Sequence, residues 1–281
     1  MRVVIFSGTT EGRELSAALA SAGADVIVSV ASDVGAEEQG EIPGVTVEEG
    51  LKDEEQIRNL IRGADLVVDA THPYAVLVTE NIRQAAEAEQ VERLRLVRGR
   101  SELPEDLESV GGAAADSREH GFRALIAEDA AAAAALAREI AGPEGNILLT
   151  TGSKELSAYA AVCDPEHLVP RVLPVVSSIE SCEKAGIPHR NIVAVQGPFS
   201  QELNEAVLRD YHIAVMVTKE SGRAGGFAEK IRACEAERIP AVVIARPEDD
   251  GMDFENVLSA CMERIKCVSH WLEQAAAIQE P

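Results

Sequence analysis

The chain has 281 residues, enough for one large domain or, at roughly 150 residues per domain, two compact ones. Apolar residues make up 46% of it and charged ones 26%, the balance of an ordinary soluble globular protein rather than a disordered or membrane-embedded one. With 26 Lys and Arg against 48 Asp and Glu, the formal charge of −22 argues against nucleic acid or an anionic membrane as a partner, since both need basic surface.

Five Cys stand at spacings that match no zinc or redox pattern, and an odd number cannot all pair within one chain. No stretch approaches the roughly 18 apolar residues of a membrane helix, and the N-terminus reads as a first strand rather than a signal peptide. The expected compartment is a reducing cytoplasm.

In chain order, short β-branched runs alternate with longer amphipathic segments, the pattern of parallel sheets covered by helices. Strands are expected at 3–6, 25–30, 45–48, 66–69 and 94–97, with helices at 12–22, 53–62 and 76–89, giving a five-stranded open α/β domain over 1–98. Residues 99–127 break the rhythm with Gly99, Pro104 and Gly111-Gly112 and are expected to cross to a second domain. Strands then follow at 147–150, 168–173, 192–195, 214–217 and 241–244, and helices at 128–141, 154–162, 177–185, 200–210 and 226–237. The alanine run 130–135 belongs to a helix on propensity. A second α/β domain is expected over 128–253, followed by a terminal helix and tail over 254–281. The fold class is therefore α/β, two Rossmann-like open parallel-sheet domains with an interdomain cleft.

Phe6-Ser7-Gly8-Thr9-Thr10-Glu11-Gly12 follows the first strand and opens the first helix. A phosphate suits this place: N–H groups at a helix N-terminus carry partial positive charge, Gly8 and Gly12 admit a ligand to the backbone, and Ser7, Thr9 and Thr10 add hydroxyls. The stretch matches neither G-x-G-x-x-G nor the P-loop pattern, so a capped strand-to-helix turn is the plain alternative. After the second strand, Asp33 is placed to accept a hydrogen bond from the adenosine ribose and to repel a 2′-phosphate, which favours NADH over NADPH. Asp69-Ala70-Thr71-His72-Pro73-Tyr74-Ala75 ends the fourth strand, where Pro73 holds His72 extended over the crevice that binds ligands in doubly wound sheets. Thr71 is a candidate cofactor contact, and His72 and Tyr74 are candidates to gate or protonate a substrate, a structural hydrogen-bonding His in a turn being the plain alternative.

Three turns of the second half share one grammar: Thr150-Thr151-Gly152-Ser153-Lys154-Glu155, Gln196-Gly197-Pro198-Phe199-Ser200, and Thr218-Lys219-Glu220-Ser221-Gly222 followed by Gly225-Gly226. Each sets Gly and hydroxyl residues just past a strand, so together they make a wall of N–H donors carrying Lys154 and Lys219; three ordinary capped helices would read the same way. A short-chain dehydrogenase is excluded, because Tyr74, Tyr159 and Tyr211 are followed four residues later by Val78, Cys163 and Val215 instead of Lys. No His pair has metal-ligand spacing and G-x-S-x-G is absent, so metallohydrolase and α/β-hydrolase chemistry find no support and no metal is expected.

Taken in order, GTTEG, DATHPYA, TTGSKEL, QGPFS, VTKESG with its following GG, and Ala245-Arg246-Pro247 resemble the precorrin-6A reductase family of cobalamin biosynthesis, most closely its anaerobic, cobalt-precorrin-6A branch, over residues 1–247. The resemblance implies an oxidoreductase that passes a hydride from a reduced nicotinamide to C19 of a tetrapyrrole-derived macrocycle, with protonation at C18. Relatives that use NADPH tend to carry Arg just after the second strand, where this chain has Asp33. The substrate would be a polyanion, so a chain of this charge needs a locally basic site. Lys154, Arg171, Lys219, Arg223 and Arg246 are the candidate cations, with Thr151, Gly152, Ser153, Gly197, Pro198, Phe199, Ser200, Ser221 and Gly222 as further substrate contacts. For the proton, His72, Tyr74 and Lys219 are the possible donors, beside solvent. A dinucleotide-sensing module without turnover, and a transferase using the same loops, are the alternatives.

Overall fold

Val3, Val4 and Ile5, three consecutive residues of β1 (Arg2–Phe6), are completely buried, which requires helices on both faces of the strand. The computed structural model describes residues 1–97, 108–109, 123–220, 226–247 and 249–278, the side chains of 108–109 and 268–278 excepted. It meets that requirement with two all-parallel sheets, as the α/β reading expects. The chain divides into two compact units, 1–99 with 247–281, and 100–246.

In the first unit β1 is followed by α1 (Thr10–Ser21), β2 (Asp25–Val30), α2 (Asp33–Gln39), β3 (Val45–Glu49), α3 (Glu54–Ile61), β4 (Leu66–Asp69), α4 (Val76–Glu89) and β5 (Arg93–Arg95). The sheet order is β3-β2-β1-β4-β5. Phe6 is level with Ser29 of β2 and Asp69 of β4, so the ends of β1 and β4 lie side by side at the topological switch point. Alternate residues of β1 serve opposite faces: Val3 and Ile5 pack with Leu15 and Leu19 of α1, Val4 and Phe6 with Ile57 and Ile61 of α3 and Ile82 of α4.

The chain returns to this unit at its end. The Met252 N–H donates to Arg95 O at 2.9 Å and the Val97 N–H to Met252 O at 2.8 Å. The last helix, Phe254–Ile278, then lays Val257, Cys261 and Ile265 into the cluster holding Val3 and Leu15. The expected division differs here: the second unit ends at 246, not 253, and the terminal helix completes the first core.

The second unit runs β6 (Glu108–Ser109), β7 (Ala124–Ala127), α5 (Ala130–Ala141), β8 (Asn146–Leu149), α6 (Leu156–Ala160), β9 (Leu168–Val172), α7 (Val176–Lys184), β10 (Val193–Ala194), α8 (Gln201–Asp210), β11 (Ile213–Lys219), α9 (Phe227–Glu237) and β12 (Ala241–Ile244). We number the terminal helix α10. The order β10-β9-β8-β11-β12-β7-β6 has seven strands rather than five, and the two additions, β6 and β7, fall in the stretch expected only to cross between domains. The switch point lies between β8 and β11. On one face Leu148, Val169 and Met216 pack with Leu208 of α8 and Phe227, Ile231 and Cys234 of α9; α5 buries Ala133, Ala134 and Ala137, whose small side chains let it lie close. Among the described residues no helix is long and apolar enough to cross a membrane, and no His, Cys, Asp and Glu cluster could hold a metal.

Candidate functional site

The turn after β1 rests on two glycines used in opposite ways. Gly8 has a φ of +138°, and a Cβ on it would meet nothing within 4 Å, so its backbone is bare toward open space. A Cβ on Gly12 would sit 2.5 Å from Ser7 Oγ and 3.1 Å from Ala70 Cβ, so only glycine lets α1 start this close to the ends of β1 and β4. Thr9 caps α1: its Oγ1 accepts the Gly12 N–H at 3.1 Å and donates to Ala70 O at 3.0 Å, tying the two switch-point turns together. Ser7 is buried, whereas Gly8 and Thr10 are exposed; Glu11 lies in the first turn of the helix.

The segment after β4 is equally constrained. The Thr71 hydroxyl donates to Asp69 Oδ1 at 2.7 Å and lies 3.0 Å from Thr79 Oγ1. Asp69 is fully buried between Arg95 at 2.9 Å and Arg93 at 3.4 Å. Arg95 also reaches Asp249 at 2.8 Å and Thr71 O at 3.0 Å. Thr71, expected to touch the cofactor, is thus already occupied within the scaffold. His72 and Tyr74 are half-buried with rings stacked 5.5 Å apart, and the Tyr74 N–H donates to His72 Nδ1 at 3.4 Å.

Asp33 is exposed at the start of α2, a helix the sequence reading did not contain, and its Oδ1 accepts the Val34 N–H at 2.9 Å. The Gly50 N–H bonds Val30 O at 2.9 Å and draws the turn after β3 to the end of β2. In that turn Lys52 Nζ lies 3.4 Å from Glu49 O.

In the second unit Gly152, with φ +83°, has open space where a Cβ would be. Thr151 lies beside the fully buried Tyr159, whose phenol burial pushes well above its ordinary range. Ser153 Oγ is 3.4 Å from Ser178 Oγ, and Lys154 is exposed. Lys219 ends β11 and pairs with Glu155 of the neighbouring switch-point turn at 2.8 Å, so this expected substrate cation already has a carboxylate. Gly197-Pro198 is a cis peptide, Gly197 lies against the Phe199 ring, and Ser200 caps α8 by accepting the Leu203 N–H. Arg171 of β9 is buried, its guanidinium 4.4 Å from the centre of the Phe199 ring and its Nη1 donating to Asn204 Oδ1 at 2.7 Å. Burial brings Arg171 down to about 10. Arg246 is half-buried just past β12. Ser221, Gly222 and Arg223 lie outside the described residues.

In the first unit exposed large apolar side chains include Leu51 after β3 and Val76 and Leu77 after β4; in the second they include Leu173 and Val176 after β9, Val195 after β10 and Leu203 in the first turn of α8. Single exposed apolar residues are common; these follow the carboxyl ends of parallel strands, the edge at which open α/β sheets usually bind ligands. Sequence reasoning missed Asn204 and Lys230. The latter is buried in the first turn of α9, its amine pushed down to about 7 by burial and by Arg171. A signal existed: Lys230 shares the i, i+3, i+4, i+7 stripe of Phe227, Ile231 and Cys234.

The family model described as Precorrin-6x reductase CbiJ/CobK matches residues 2–263. The chain is similar to the cobalt-precorrin-6A reductase of Priestia megaterium, 31% identical over 273 residues, 94% of this chain and 99% of that one. It is also similar to the cobalt-precorrin-6A reductase of Salmonella typhimurium, 33% identical over 276 residues and 97% of each chain. A solved structure titled CobK precorrin-6A reductase superposes with a TM-score of 0.68 at 21% identity, covering 94% of this chain and 96% of the other, a likeness of fold.

Proposed function

Since the chain belongs to the precorrin-6x reductase CbiJ/CobK family, we propose that it passes a hydride from a reduced nicotinamide to C19 of a cobalt-precorrin-6A or precorrin-6A macrocycle, with protonation at C18, in cobalamin biosynthesis. The observation that carries this reading is the turn after β1. A dinucleotide needs bare backbone at a helix N-terminus to receive its pyrophosphate, and Gly8 offers it at the switch point, while Gly12 permits the close helix approach. These residues fit the cofactor.

When bound, the nicotinamide supplies the hydride; the chain supplies position, electrostatics and a proton. Backbone groups of Ser7–Gly12 hold the phosphates, and Thr9 fixes that turn against the end of β4. His72 and Tyr74 stand at that end, the imidazole oriented by the Tyr74 N–H, and either can hand over the C18 proton; Lys219, held by Glu155, is the third group able to do so. In the second unit the exposed Leu173, Val176, Val195 and Leu203 suit the body of an apolar ring, and Lys154, Arg171 and Arg246 suit its carboxylates. Five unpaired thiols, four of them buried, agree with a reducing cytoplasm, where we place the enzyme.

Asp33, exposed just past β2, favours NADH because its charge opposes a 2′-phosphate. A second reading, NADPH, is favoured by Lys52 in the turn drawn to the same strand end. Anaerobic assays with each cofactor test both levels. The expected result is oxidation of the cofactor only with macrocycle present, faster with NADH at low concentration; cofactor binding without oxidation would overturn the reductase reading.

A further inference from the structure

Two cations lie buried on one side of the second unit, and among the described residues neither has a carboxylate partner. Arg171 is 7% exposed and Lys230 8%. Among the described residues the Lys230 amine has no hydrogen bond or ion pair, its backbone N–H bonding Gly226 O within the helix start, and the Arg171 guanidinium has only the bond to Asn204 and the stack on Phe199. Buried charges are ordinarily paired, because an uncompensated one is among the costliest features a core can hold.

The nearby groups do not supply a counter-ion. Glu229, beside Lys230 in α9, is engaged with Arg232 at 2.7 Å. The Cys234 thiol is pushed up to about 12 by burial, so it stays neutral. Asn204, from α8, is an amide. Gly226, which precedes α9, brings the helix start against the loop of Phe199: a Cβ there would be 3.9 Å from the Phe199 N and O atoms. Burial and Arg171 together draw the Lys230 amine down, with Glu229 opposing, as expected of two like charges sharing a dry place.

We propose that Arg171 and Lys230 form a carboxylate-binding site, with Asn204 holding the guanidinium and Phe199 covering it. Resting on the reductase reading, the carboxylate is an acidic side chain of the macrocycle. Its two oxygens match the free edge of the guanidinium and accept from the ammonium, which then keeps its proton. Leu173 and Val176 follow β9, the strand that carries Arg171, and Val195 and Leu203 follow its neighbour β10; exposed, they suit the apolar body that carries such a group.

Propionate is the probe, titrated against the intact chain while the Lys230 side chain is followed by carbon-13 NMR. Without propionate the amine should titrate near 7; with it, titration should move toward the ordinary lysine range, and thermal stability should rise. Lys230→Met should abolish both responses while leaving the ligand-free protein folded and slightly more stable. A Lys230 titration indifferent to propionate, or propionate stabilisation that survives Lys230→Met, would overturn the site. So would a response to inorganic phosphate but not to propionate. Neither readout needs turnover, so an inactive reductase leaves the site standing. Conversely, if activity is present, Lys230→Met should raise KM for the macrocycle by about tenfold or more with kcat little changed; an unchanged KM would remove the assignment and leave the reductase intact.

Discussion

Arg95 of the first unit and Arg171 of the second are buried to nearly the same degree, 6% and 7% exposed, each near the carboxyl end of a parallel strand. Their surroundings differ. Arg95 meets Asp69 and Asp249 and both oxygens of Thr71, whereas Arg171 meets one neutral amide and an aromatic face. The contrast separates two uses of a buried cation. In the first unit it locks the turn after β4; in the second no carboxylate among the described residues pairs with it, which is the charge the proposed ligand would bring.

The largest test of that contrast is a pair of substitutions. Arg95→Met leaves the fully buried Asp69 with only Arg93 among the described residues, at 3.4 Å, as a counter-ion, and chemical denaturation should show a loss of about 3–5 kcal/mol, as for other broken buried pairs. Arg171→Met removes an unpaired charge and should cost far less; equal losses would erase the distinction. Gly8→Val should come next, lowering cofactor affinity by more than about tenfold at a conformational cost of about 1–3 kcal/mol, read by equilibrium titration and melting. Unchanged affinity would remove the phosphate-turn assignment. Asp33→Arg should move the ratio of kcat/KM toward NADPH by about tenfold, or about 1.4 kcal/mol, and an unmoved ratio would mean that Asp33 does not face the ribose.

Lys230 adds a pH signature. Its folded-state amine releases a proton near 7, while in the unfolded chain it holds one to about 10.4. The burial cost is therefore complete below pH 7 and fades as pH rises to about 10, so stability gains with pH across that window. Lys230→Met should lack this gain, and melting curves at pH 6 and 9 would show it, the variant exceeding the parent more at the lower pH. The smallest effect is expected for Lys219→Ala, because Glu155 already neutralises that cation: a KM for the macrocycle raised a few-fold, with nicotinamide binding unchanged.

The parallel strands were legible because residues 3–5 and 66–68 are buried on both faces and so read as continuous apolar runs. Turn chemistry placed Gly8, Gly12 and Thr9 for the same local reason. Other elements had weaker signals. Ala124–Ala127 is a four-residue strand whose identity comes from pairing with β12, far along the chain. In Asp33–Gln39 only Gln39 is buried, so no apolar stripe announces the helix. The return of α10 to the first core depends on contacts between residues more than two hundred positions apart, which no local pattern encodes. At the rims, sequence showed which residues carry hydroxyls and charge but not which were already engaged: Thr71 with Asp69, Lys219 with Glu155. Lys230 was passed over because a lysine on a mixed helix ordinarily faces water.

The most direct measurement is anaerobic turnover of the intact chain with the cobalt-containing macrocycle and NADH, following nicotinamide absorbance and the macrocycle spectrum together. The expected result is loss of reduced nicotinamide in equal amount to the ring reduced, and none when the macrocycle is omitted. Cofactor that binds and stays reduced while the macrocycle is present would contradict the assignment.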